Sequence, residues 1–97
     1  DWTPKFHTAI WKTTASSTAW NTAANWSTGA VPTTDVNVLI PTGASNYPVI
    51  SSSGATAKNI TVSTSATLTV NDGSDLTLSG NFVNRGTITI SGDVVVN

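Results

Sequence analysis

Catalysis draws on a short set of side chains, and this chain holds few of them. Its acids are Asp1, Asp35, Asp72, Asp75 and Asp93, its only imidazole is His7, and it has neither Glu nor Cys. A Ser–His–Asp relay would have to use His7, which lies in a terminal stretch behind Pro4, and no G-x-S-x-G elbow accompanies it. A glycosidase needs two carboxylates held about 5 to 9.5 Å apart across one bond. Asp72 and Asp75 are close in sequence, but they sit in a stretch rich in Gly and Ser, where shaping a turn is the simpler role. Calcium takes about six to eight oxygen ligands. Asp72 and Asp75, with Asn71 and Asp93 beside them, supply few, and the Gly-Gly-x-Gly-x-Asp pattern of repeat-built calcium sites is missing. The expectation is no enzyme, no catalytic residue and no cofactor, with structural Ca²⁺ disfavoured.

Aromatic side chains offer binding rather than chemistry. All four Trp fall in the first third of the chain, at Trp2, Trp11, Trp20 and Trp26. An exposed indole can stack on a sugar ring, whereas a buried one removes on the order of 200 Å² from water. Trp20 and Trp26, spaced around Asn21 and Asn25, are expected to form a structural cap. Trp2 and Trp11, nearer the terminus, are the expected contacts for a partner or a glycan. Asn25-Trp26-Ser27 and Asn59-Ile60-Thr61 match N-x-S/T, a pattern that a Ser- and Thr-rich chain produces by chance. Asn81, Asn84 and Asn97 suit stacked amide ladders.

The elements that would position these residues change character about halfway along. After Pro48 come Ile60-Thr61-Val62, Leu68-Thr69-Val70, Leu76-Thr77-Leu78, Ile88-Thr89-Ile90 and Val94-Val95-Val96, each followed by a polar step. Apolar, polar, apolar describes a strand with one wet face and one dry face. Short, similar strands recurring this often indicate one stacked unit. Turn signals recur at Asn71-Asp72-Gly73, Ser79-Gly80-Asn81, Asn84-Arg85-Gly86 and Ser91-Gly92-Asp93. Val36 to Ile40, closed by Pro41, reads as the first strand. Residues 1 to 35, crowded with Ser and Thr and punctuated by Pro4 and Pro32, read as short strands and turns.

The expected fold is all-β, a parallel β-solenoid with an aromatic N-terminal cap. An antiparallel β-sandwich is the alternative, because turn signals also close hairpins. One continuous domain is expected, with residues 1–50 as capping segment and first strands and 51–97 as repeats. Val94, Val95 and Val96 form an apolar strand with no polar terminating segment after it, so they are expected to present an assembly edge, to another molecule or to more of the chain.

Composition narrows the partners. The net charge of −1, with three Lys and one Arg, gives no basic patch for nucleic acid. No run approaches the roughly 20 apolar residues that span a bilayer. Charged residues make up 9%, against about 25% in ordinary domains, and such a hydroxyl-rich, charge-poor balance points to the cell exterior. Starting on Asp1 rather than Met fits removal of a secretion signal.

Trp20-Asn21-Thr22-Ala23-Ala24-Asn25-Trp26-Ser27, then Gly29-Ala30-Val31-Pro32 and Asp35-Val36, resembles a segment of secreted bacterial surface proteins. In those proteins a W-N-x-x-x-N-W motif and a V-P step precede β-helical repeats. Leu76 to Ile88 is similar to the repeats of such proteins in Bacteroidota and of autotransporter-like adhesins. The resemblance covers about residues 10 to 97. It implies an exported structural or adhesive element of the cell surface, able to self-associate by strand stacking into a fibre or to join other surface proteins. A carbohydrate-binding module of a larger secreted enzyme is the alternative.

Overall fold

Alternation decides where the strands lie and which way their side chains point. The computed structural model describes residues 7–96. These residues form ten strands, with no α-helix and one 3-10 turn at Ala23–Asn25. None of their helices is long and apolar enough to cross a membrane.

β1 (His7–Ile10) is followed by three tiers of three strands. The first tier is β2 (Val36–Ile40), β3 (Val49–Ile50) and β4 (Ala55–Ala57). The second is β5 (Ile60–Val62), β6 (Thr67–Val70) and β7 (Asp75–Leu78). The third is β8 (Phe82–Asn84), β9 (Thr87–Ile90) and β10 (Asp93–Val96). β1 pairs with β2, and from β2 on each strand pairs with the strand three places along, giving three sheets in the orders β1-β2-β5-β8, β3-β6-β9 and β4-β7-β10. Every one of these pairings is parallel. The chain is all-β with parallel sheets.

Register stacks like on like. Val38 faces Ile60 and Ile60 faces Phe82, while Leu68 faces Ile88 and Leu76 faces Val94. The inward set of the second tier, Ile60, Val62, Leu68, Val70, Leu76 and Leu78, is wholly buried. Burying each such side chain contributes about 1.5–3 kcal/mol. The Thr residues between them point outward, so the triplets do what their alternation predicts. β1 is one of the short strands expected within residues 1–35, so Val36–Ile40 is the second strand and not the first; its HTAI run carries only one apolar pair to mark it.

Corners differ between tiers. The second tier turns through Ser63–Ala66 and Asn71–Ser74, each closed by a backbone hydrogen bond, with Ser65 at φ 67° and Gly73 at φ 79°. The third tier turns through tighter two-residue steps at Arg85-Gly86 and Ser91-Gly92, set directly on those loops. A Cβ on Gly86 would strike the carbonyl oxygens of Ser63 and Ala66, and one on Gly92 those of Asn71 and Ser74. Only glycine lets the smaller tier settle that close.

Candidate functional site

The N-terminal end of the stack is shut by its own chain. Trp11, Trp20 and Trp26 are 0%, 1% and 0% exposed. Trp26 stands edge-on to both others, with ring centroids 5.2 Å from Trp11 and 4.8 Å from Trp20, an arrangement indole quadrupoles favour. The Trp11 indole N–H donates to the Asn46 carbonyl at 2.7 Å and that of Trp26 to the Trp20 carbonyl at 2.8 Å. Asn25, also buried, donates through Nδ2 to Ser17 Oγ and to the Ala19 carbonyl, both at 3.1 Å. Asn21 is exposed and ties outward to Ser52 Oγ.

The same segment lies along part of the strand edges at this end. The β3 edge is taken by residues 18–20, where Val49 N–H donates to the Thr18 carbonyl at 2.7 Å and Trp20 N–H to the Val49 carbonyl at 3.3 Å. Beside β1, Ser27 exchanges bonds with Ile10, both at 2.9 Å, and Thr56 Oγ1 on β4 reaches the Pro32 carbonyl at 3.2 Å.

Trp11 therefore corrects the expectation that it meets a partner. It follows Ala9 at the inward phase of β1, so the strand drives it into the core, where no face is left for a ligand. Trp2 lies outside the described residues. Trp20 and Trp26 sit in the plug, as their spacing suggested.

β8, β9 and β10 are each the last strand of their sheet, so three backbone edges have no neighbouring strand among the described residues. Ile90 and Val96 point inward, directly above the buried Val70 and Leu78, yet they are 50% and 52% exposed. On the outer phase Val83 is 41% and Val95 48% exposed. Val94 is only half-covered by Leu76. Val94, Val95 and Val96 thus lie on one side of an apolar end face that also takes in β8 and β9, a surface the sequence reading saw only in part.

An amide ladder runs up to this face. Asn59 Nδ2 donates to Asn37 Oδ1 at 2.7 Å, and Asn81 N–H donates to Asn59 Oδ1 at 2.6 Å. The side-chain amides joined are those of Asn37 and Asn59, with Asn81 adding its backbone N–H, a different set from the expected Asn81, Asn84 and Asn97. Asn84 serves its own corner instead, accepting from Gly86 N–H at 2.9 Å, and Asn97 lies outside the described residues. The signal for the true ladder is the step of 22 residues, which equals the spacing of Val38, Ile60 and Phe82.

Polar chemistry is sparse. Asp75 Oδ1 accepts from Gly54 N–H at 2.6 Å, which gives that carboxylate a turn-fastening role, and Asp72 is exposed on its loop. Among the described residues no three His, Cys, Asp or Glu gather as metal ligands. A hollow of about 280 Å³ beside the start of β2 is lined by Thr28, Ala30, Val31, Thr33 and Val36, with no ionisable group.

Against known families, residues 10–95 match the domain of unknown function DUF8693. The chain belongs to that family. No curated protein and no solved structure matches it. The matched span of this DUF8693 domain takes in the Trp plug, all three tiers and all but the last residue of β10.

Proposed function

We propose that this DUF8693 domain is an exported structural and adhesive element of the cell surface, a parallel β-solenoid that acts by stacking strands rather than by chemistry. One observation carries the reading: every sheet gains one strand per tier, and the last tier offers three strand edges around an apolar face. Open edges of this kind are templates for further pairing. The thin inventory of reactive side chains supports a role outside catalysis, without metal or cofactor. The hydroxyl-rich, charge-poor surface supports the extracellular side, and the resemblance to secreted bacterial surface proteins points the same way. Partners are other copies of the chain or other surface proteins.

The rival reading, a carbohydrate-binding module, rested on accessible indoles. Of its two candidate contacts, Trp11 is buried and Trp2 lies outside the described residues, so the described residues offer it no exposed indole. Localisation tests the proposal: antibody to this domain should label intact producing cells as strongly as permeabilised ones. Signal that appears only after permeabilisation would overturn it.

A further inference from the structure

The third tier carries a regularity that the tiers beneath it lack. Residues 79–84, 85–90 and 91–96 are three hexapeptides, each with glycine second: Ser-Gly-Asn-Phe-Val-Asn, Arg-Gly-Thr-Ile-Thr-Ile and Ser-Gly-Asp-Val-Val-Val. Equal sides make the end face a near-regular triangle with β9 as its middle side. Such a face can be laid on a copy of itself by a two-fold axis through β9 at the midpoint of residues 82–96, which reverses strand direction and makes every contact antiparallel.

We propose that a second copy of this chain seats there, giving a tail-to-tail dimer with its two-fold axis at Thr89. This deepens the strand-stacking reading above and rests on it. With the axis at Thr89, each residue of one copy faces the residue equally far on the other side of 89. Inward residues then meet inward ones, Ile88 against Ile90 and Phe82 against Val96, and outward Val83 meets outward Val95. Four of the five exposed large apolar side chains of the described residues, Val83, Ile90, Val95 and Val96, are covered in this single register.

Charge selects the same register. Arg85 stands at the corner between β8 and β9, and Asp93 directly after the corner between β9 and β10, each four places from Thr89. The axis sets Arg85 of one copy against Asp93 of the second copy, and does so twice. The glycines at 86 and 92 meet beside them, removing side-chain bulk at both corners. Axes through β8 or β10 bring neither pairing about.

The two-fold axis sets the stoichiometry. Both copies use the same face in the contact, so assembly through it closes at two, where a head-to-tail contact would continue as a filament.

Sedimentation equilibrium of the 97-residue chain, over a wide concentration range, tests this. The mass should rise from 10.0 kDa and level at twice that value. Arg85→Asp and Asp93→Arg should each weaken dimerisation at least about tenfold, since each places like charges together at both corners. The double variant R85D/D93R should recover most of the loss, while circular dichroism shows all three proteins folded. A monomer at every concentration overturns the dimer, yet leaves the surface-element reading standing on its own labelling test. Mass rising past two chains overturns the two-fold pairing, because a closed contact cannot extend. Additive losses in the double variant overturn the Thr89 register.

Discussion

The two ends of this domain solve the same problem in opposite ways. A stack of parallel strands has an unpaired edge and an uncovered core at each extremity. At the N-terminal end, three buried indoles cover the core and an irregular segment takes the β3 edge and the end of the β1 edge. At the C-terminal end, Ile90 and Val96 occupy inward positions equivalent to buried residues one tier below and remain half in water. The strand is the same device at both ends. What differs is whether large aromatic residues from outside the repeat are there to close it.

The contrast can be broken most severely at the indoles. Trp26→Ala removes the ring against which both others stand and should cost about 3–5 kcal/mol, read as a lowered midpoint in urea. An unchanged midpoint would mean that the plug is dispensable. The next effect compares one residue type in two places. Ile60→Ala, in the buried second tier, should cost about 2–5 kcal/mol, whereas Ile90→Ala on the open face should cost about 1 kcal/mol or less. Those measurements belong at concentrations where the chain is monomeric, and equal losses would show that the open face is covered.

Backbone fit gives a smaller effect. Gly92→Ala should destabilise by about 1–3 kcal/mol, because its Cβ meets two carbonyl oxygens of the tier below. Thermal unfolding would reveal a clash that the chain can absorb as an unmoved Tm. The smallest change should be a gain. Ser65 holds φ 67° at the turn position that Gly73 fills one corner later, so Ser65→Gly should stabilise by about 0.5–1 kcal/mol. A loss there would show that the Ser65 side chain contributes something its turn does not require.

Much of the middle was legible in the sequence, and much of the ends was not. Ile60, Leu68 and Leu76 declared their burial because apolar and Thr positions alternate, and alternation is a property of one strand alone. Pairing is a property of two. Nothing local distinguishes Leu68 facing Ile88 from Leu68 facing Leu76, since the triplets are nearly interchangeable. The ladder Asn37–Asn59–Asn81 escaped notice for a related reason: its members are rungs only once the 22-residue step is known. Trp11 was placed outside because it lies near a terminus, when its phase with Ala9 on β1 already pointed it inward. The breadth of the open face was hidden in the same way, because exposure of Ile90 depends on what stacks above it and not on its neighbours in the chain.

A covered end and an exposed one also imply an order in time. The Trp11 indole bonds to the carbonyl of Asn46, 35 residues away, so completing the plug needs β2 and the loop after it in place. Each later tier then needs only a short loop to return onto a surface already formed, and loop-closure entropy grows slowly with such lengths. Folding should therefore begin slowly at the aromatic end and zip toward Val96. The last tier would be the first to open in hydrogen exchange and the quickest to close again.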